Sequence, residues 1–278
     1  MWYVFIPVGA AVLVALLFWL HWGNNNIMIT PYTFKSPNVP EAFDGFRILQ
    51  ISDLHNKNYS PDYFFKKVRA CKPDIIIITG DIINSRRPNI DRACAFAKRL
   101  ARIAPSYYVT GNHEERSACC AALLKKLKTT GVRLLENSCE TLSCSGGKIA
   151  LCGLWEIDVQ KKQPFDKVEH ALAGLRADSE GRFRILLAHR PERISLYAGA
   201  EMDLVFSGHA HGGQVRLPLI GGLFAPAQGL FPKYTKGFYK EKETTMVVSR
   251  GLGDSRIPAR IFNRPELVVV TLKHGALD

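Results

Sequence analysis

The chain places most of its metal-binding chemistry in five short segments: Asp53-Leu54-His55, Gly80-Asp81, Gly111-Asn112-His113-Glu114, His189, and Gly208-His209-Ala210-His211-Gly212-Gly213. Carboxylate and amide oxygens combined with imidazole nitrogens suit Mn, Fe, Zn or Co, and the lack of a thiolate in the set argues against a structural zinc site. One carboxylate has two oxygens, so a single Asp can bridge two ions held about 3.5–4 Å apart, as two-metal phosphoryl chemistry requires. Asp81 is the candidate bridge. Alone, each fragment is weak, because Asp-x-His and Gly-Asp recur by chance and a single histidine is usually a satisfied core residue. Together they use His55, His113, His189, His209 and His211, five of the eight histidines. His21, His170 and His274 fall in no motif.

What positions these groups is visible just upstream of each. The apolar runs FRILQIS (46–52), DIIIIT (74–79), YYVT (107–110), RILLA (184–188) and DLVFS (203–207) each end where a polar segment begins. Short, β-branched and bounded by turn residues, they read as buried strands, as do IALCGL (149–154), MVVS (246–249) and LVVVTL (267–272). Helical stretches over 61–71, 91–104 and 117–129 lie between several of them, the α/β pattern. Ligands in such sheets bind beyond the carboxyl ends of the strands, so five distant segments deliver Asp, His and Asn to one rim. No repeat and no second linker divides residues 46–278, which predicts a single domain.

In this order and spacing, the series resembles the calcineurin-like metallophosphoesterase superfamily over the whole chain after residue 45. GHAHGGQVRLP (208–218), SRGLG (249–253) and RPELVVVTL (264–272) more narrowly resemble its bacterial membrane-associated branch, which includes a phosphodiesterase group and a UDP-2,3-diacylglucosamine pyrophosphatase type. The resemblance implies a four-layer α/β/β/α sandwich and two divalent ions, with manganese favoured. It assigns Asp53, His55, Asp81 and His211 to one ion and Asp81, Asn112, His189 and His209 to the other. His113 is similar in position to the residue that contacts the phosphate and the leaving group; its plainer role would be to orient Asn112. The implied reaction is hydrolysis of a phosphoester by water activated between the two ions. No ligand of the pattern is missing, which argues against a non-catalytic scaffold.

The first twenty residues, MWYVFIPVGAAVLVALLFWL, carry no charge. At 1.5 Å per residue, about 20 helical residues cross the roughly 30 Å hydrocarbon core, and Trp2, Tyr3, Trp19 and Trp22 stand where interfacial aromatics are expected. With no basic n-region and no cleavage-like small residues, residues 1–22 read as an uncleaved anchor rather than a signal peptide. Residues 23–45, punctuated by Pro31, Pro37 and Pro40, read as a linker. Lys35 follows the span, and the seven cysteines form an odd set read as single reduced thiols, so a single-pass protein with a cytoplasmic body is expected.

A net charge of +12 suits an acidic partner: nucleic acid, anionic lipid or a phosphorylated metabolite. The anchor, and the absence of a recognisable capping domain for DNA, disfavour nucleic acid and leave a membrane-associated or lipid-linked phosphoester as the leading expectation. A nuclease or broad phosphatase on soluble substrates is the alternative. Gln214–Lys240 supports the first reading: it has no Asp or Glu and interleaves Arg216, Lys233, Lys236 and Lys240 with apolar residues. It reads as a loop leaving the active-site rim, with Leu223 and Phe224 expected on an exposed lip. Nothing in the sequence bears on oligomeric state.

Overall fold

The computed structural model describes residues 2–156, 165–254 and 259–276. The chain opens with helix α1 (Trp2–Asn25), then runs through strands β1 (Met28–Ser36) and β2 (Arg47–Ile51), helix α2 (Pro61–Ala70), strand β3 (Ile75–Thr79), helix α3 (Ile90–Ala101) and strand β4 (Ser106–Val109). Helices α4 (Asn112–Glu115) and α5 (Cys120–Leu127) lead to strands β5 (Arg133–Leu134), β6 (Ser138–Cys144) and β7 (Gly147–Gly153). Helix α6 (Phe165–Asp178), strand β8 (Phe183–Leu187), helix α7 (Ile194–Gly199) and strand β9 (Leu204–Ser207) follow. The short strands β10 (Arg216–Leu217), β11 (Gly221–Gly222), β12 (Phe224–Ala225) and β13 (Gly229–Leu230) precede β14 (Gly237–Glu241), β15 (Thr244–Val248) and β16 (Glu266–His274).

Two six-stranded sheets, ordered β1-β16-β2-β3-β4-β5 and β14-β15-β9-β8-β7-β6, lie face to face. Strand β3 shows why its run is continuously apolar. Side chains alternate between faces, so Ile75 and Ile77 enter the core between the sheets with Tyr107, Ile185, Phe206 and Val270, while Ile76 and Ile78 meet Phe64, Val68, Ala97 and Leu123 on the helical side. On the other outer face, Leu172, Leu175, Ile194 and Tyr197 of α6 and α7 cover Leu186, Val205 and Met246. The result is the expected α/β/β/α sandwich.

Two features differ from the sequence reading. Most of the expected linker is folded: β1 pairs parallel with β16 along its whole length, from Met28 opposite Glu266 to Ser36 opposite His274. The prolines misled because β1 is an edge strand, where a missing N–H breaks no ladder on the open side. The cysteines are not all single thiols either. Cys139 and Cys152 stand directly opposite on antiparallel β6 and β7 and form a disulfide, leaving Cys71, Cys94, Cys119, Cys120 and Cys144 free. Residues 13 apart meet because one tight turn folds the strand back.

The topology also sets where the N-terminal helix joins. Strand β16 is antiparallel to β2, so its first residues lie at the carboxyl end of β2; β1 runs parallel to β16, so Met28 lies at that same end. Helix α1 is long and apolar enough to cross a membrane, and its side chains from Val8 to Phe18 are exposed. The side chains of Trp2 and Tyr3 lie outside the described residues. Among the described residues, α1 meets the body through its last turns. Trp19 packs edge-on against Phe262 at 5.2 Å, and the Arg264 guanidinium lies 4.6 Å over Trp22. The backbone N–H of Arg260 donates to Asn24 Oδ1, while Lys57 donates to Asn24 O and pairs with Asp254.

Candidate metal centre

Asp53 and His55 follow β2, Asp81 follows β3, Asn112 follows β4, His189 follows β8, and His209 and His211 follow β9. All seven are buried. Their ligating atoms form two groups around one carboxylate. In the first, His211 Nε2 is 3.3 Å from Asp53 Oδ1 and 3.1 Å from His55 Nε2, and His55 Nε2 is 3.7 Å from Asp81 Oδ2. In the second, His189 Nε2 is 3.3 Å from the same Asp81 Oδ2 and 3.2 Å from His209 Nδ1. Both groups are compact enough for one ion each, and a third grouping joins His55, Asp81 and His113.

Four of the seven residues expected from spacing carry imidazoles packed at contact distance around two buried carboxylates, an arrangement that calls for a cation. Burial first of all pushes Asp53 up to about 6. Burial also opposes ionisation of Asp81, but the charges of His189 and His55 outweigh it and hold that carboxyl well below its ordinary value. His55 is driven down to about 4, and His209 and His211 well below their usual range, all mainly by burial. His189 is the exception: burial lowers it, yet Asp81 and Asp53 together pull it up to about 10. A proton on His189 thus stands where a cation would balance Asp81. The side chains fit divalent ions in a further respect: Asn112 Oδ1 and His209 Nε2 are buried with no hydrogen-bond partner, and an amide oxygen without a donor is a ready ligand.

Local geometry explains how residues spaced i, i+2 can share an ion. Asp53, His55, Asp81, His209 and His211 all adopt positive φ, between 47° and 64°, so the backbone leaves each strand in a left-handed turn. For side chains with a Cβ such turns cost roughly 1–3 kcal/mol each and persist only where the surroundings enforce them. Close packing does so here. A Cβ on Gly111 would lie 2.7 Å from the Asp81 nitrogen and clash with its carboxylate, and one on Gly208 would overlap Ser52 and Asp53.

His113 is partly buried beside the cluster, and its Nδ1 accepts from the Ser85 backbone N–H at 3.0 Å. A backbone N–H can only donate, so the neutral ring carries its proton on Nε2. Burial chiefly lowers its pKa, favouring that neutral form. Its own N–H donates to Asp81 Oδ1 at 2.8 Å, tying the two loops together.

Glu114 was legible as part of Gly-Asn-His-Glu, but no role for it followed from sequence. Its carboxylate is fully buried and accepts from the backbone N–H groups of Asp81, Gly111 and Ile83 at 2.7–3.1 Å, clamping the Asp81 loop to the Asn112 helix. Burial and the Asp81 charge raise its pKa to about 8, while the three donors work the other way. Glu114→Gln presents an NH2 to one of those donors, and residues that orient ligands commonly matter 10–100-fold. A drop of about that size in metal affinity is expected by calorimetric titration. Unchanged affinity would show that the loops hold their shape without the carboxylate. Arg190, whose pair with the buried Glu156 could not be read from sequence spacing, joins Arg86, Arg116, Asn84 and His113 around a cleft of about 480 Å³ over the cluster. Phe224, Pro226 and Ala227 close its other side.

The comparisons with known proteins agree with this geometry. Residues 46–213 match the model of the calcineurin-like phosphoesterases. The chain is 33% identical over 254 residues to the uncharacterized metallophosphoesterase YkuE of Bacillus subtilis, covering 89% of this chain and 86% of that one. It is 28% identical to phosphodiesterase YaeI of Escherichia coli, covering 82% of each. It is also 31% identical to a transmembrane protein with metallophosphoesterase domain of Danio rerio, covering 85% of this chain and 55% of that one. With the family model spanning every strand end that carries the clustered side chains, the chain belongs to the calcineurin-like phosphoesterase family and is a phosphoester hydrolase.

Proposed function

We propose that this protein hydrolyses a phosphodiester or pyrophosphate bond in a membrane-associated, lipid-linked molecule. Asp53, His55, Asp81 and His211 would hold one divalent ion, and Asp81, Asn112, His189 and His209 the other, with manganese favoured. The observation that supports the two-ion reading is Asp81 Oδ2, which faces His55 Nε2 at 3.7 Å and His189 Nε2 at 3.3 Å, while Asn112 Oδ1 is buried without a hydrogen-bond partner. Two bound ions would supply Lewis acidity, generating a nucleophile from water at neutral pH and offsetting phosphoryl charge.

The chain's own residues do the rest. His113 would direct its Nε2–H toward the leaving oxygen, with Nδ1 accepting from the Ser85 N–H. Arg86 and Arg116 stand at the mouth of the cleft and Arg190 lines it, an electrostatic path for a doubly linked phosphate. The test uses full-length protein loaded with Mn²⁺ against p-nitrophenyl phosphate, bis-p-nitrophenyl phosphate and a lipid-linked phosphodiester. Metal-dependent turnover that favours the diesters is expected. Preference for the monoester would replace this reading with the broad-phosphatase alternative, and faster turnover of a single-stranded oligonucleotide added to the panel would replace it with the nuclease alternative.

Relatives with transmembrane segments and the apolar α1 support a single-pass membrane protein. On sidedness, the cytoplasmic placement now rests on Lys35, because the Cys139–Cys152 bridge removes the argument from reduced cysteines and favours an oxidising compartment. Protease treatment of intact cells decides between them: digestion of the body without lysis places it outside, and protection places it in the cytoplasm.

A further inference from the structure

The segment between the metal ligands and β14 leaves large apolar side chains in solvent. Leu219 is fully exposed, Leu230 and Phe231 are 72% and 67% exposed, and Ile220 is 58% exposed. Leu223 and Phe224, the residues expected on the lip, are instead partly buried: the Leu223 N–H donates to Gly213 O and Val215 O, and Phe224 lines the cleft. The exposed residues are therefore the tip of the β10–β11 turn and the end of β13, not the strand between.

Their place relative to α1 is fixed by contacts. Trp19 in the last turns of α1 packs on Phe262, itself 60% exposed. The neighbouring Ile261 forms a bridge with Val215 and accepts from the Arg216 N–H, and Phe231 N–H donates to Leu223 O. Leu219 thus lies four residues from a backbone joined to the foot of the helix, at most about 13 Å of extended chain. The same segment holds Arg216, Lys233, Lys236 and Lys240 and no acidic residue. Large exposed apolar residues flanked by cations and continuous with the end of an apolar helix suit a bilayer interface carrying anionic headgroups.

We propose that Leu219, Ile220, Leu230 and Phe231 seat in the headgroup region of the bilayer that α1 crosses, as a second attachment beside the mouth of the cleft. The occupant of this surface is lipid. The phosphoester would then reach the cleft past Phe224, Pro226 and Ala227 directly from the membrane. This rests on the reading that α1 spans a bilayer and that the centre hydrolyses phosphoesters.

Two measurements on full-length protein in phosphatidylcholine–phosphatidylglycerol vesicles separate the parts. In the first, tryptophan is placed at Leu219 (Leu219→Trp) or at Glu180 (Glu180→Trp), which precedes β8 at the edge opposite the ligands. Brominated acyl chains are expected to quench the added emission at 219 and not at 180. In the second, Leu219→Asp with Phe231→Asp is compared with the parent on bis-p-nitrophenyl phosphate and on a p-nitrophenyl phosphodiester of a long-chain diacylglycerol embedded in the vesicle. Turnover of the soluble ester should stay within about two-fold and that of the embedded one should fall about 10-fold or more, the scale of losing one buried apolar side chain. No quenching at 219 overturns the seating, and equal losses on both esters overturn the route from the membrane. If the parent hydrolyses neither ester with metal bound, the proposed function fails, while the quenching result still decides the seating.

Discussion

Asp81→Asn is expected to remove most bound metal and to lower hydrolysis by about 10³-fold or more. The substitution is nearly isosteric, so the loops that meet at this position keep their shape; what changes is charge. In the parent, Asp81 Oδ2 faces both His55 and His189, and Oδ1 accepts from the His113 N–H. An amide replaces one oxygen with a donor and leaves four clustered imidazoles without the carboxylate between the two groups. Breaking a buried charge pair by removing one partner commonly costs about 3–5 kcal/mol, which is roughly 10²–10⁴-fold in affinity. Elemental analysis of the purified variant, read beside its rate on bis-p-nitrophenyl phosphate, is the check. Two ions per chain together with normal turnover would sink the bridging assignment.

The second large effect is expected at His113. His113→Ala should lower kcat by about 10²–10⁴-fold, the usual contribution of a positioned proton donor, with metal content near that of the parent. Because Ser85 N–H occupies Nδ1 and burial holds the ring's pKa down, the group facing the leaving oxygen at neutral pH is an uncharged Nε2–H. It therefore acts by hydrogen-bonding the oxygen as charge develops there, and it does not require an imidazolium. The loss should shrink with nitrophenol, whose oxygen needs little help, and grow with alkyl leaving groups. It should also show no acid limb assignable to this histidine above pH 6.5, its ordinary pKa, since burial holds the ring's pKa below that value. Parallel loss of metal and rate would make His113 a ligand or a support for Asn112, a role its contact with His55 also permits.

Much of this centre is legible in one dimension for a simple reason. Donor types are a property of side chains, and in an α/β sheet the place where an apolar run stops marks the rim where ligands meet. The runs before Asp53, Asp81, Asn112, His189 and His209 announce five strand ends, and all five converge. The same reading fails for β1, because alternating residues on an edge strand with a proline look like a linker until a partner is found 238 residues away at Glu266. It fails for Cys139 and Cys152 because counting thiols carries no information about register. Periodicity and spacing determined the α/β pattern, the five segments whose polar side chains cluster and the apolar N-terminal helix, while the division of ligands between two ions is what the family resemblance implies and Asp81 is the proposed bridge.

Tertiary structure alone decided the rest, because each remaining feature depends on contacts between distant segments. Glu114 becomes a clamp only when the loops after β3 and β4 come within reach of one carboxylate. His113 acquires a defined tautomer only from Ser85 across the cleft. Helix α1 and the catalytic rim share one end of the sheet only because β16 runs antiparallel to β2 and β1 parallel to β16. Which apolar side chains of Gln214–Lys240 are buried and which face solvent follows from backbone hydrogen bonds to Gly213, Val215 and Ile261, and no local pattern in the sequence encodes those partners.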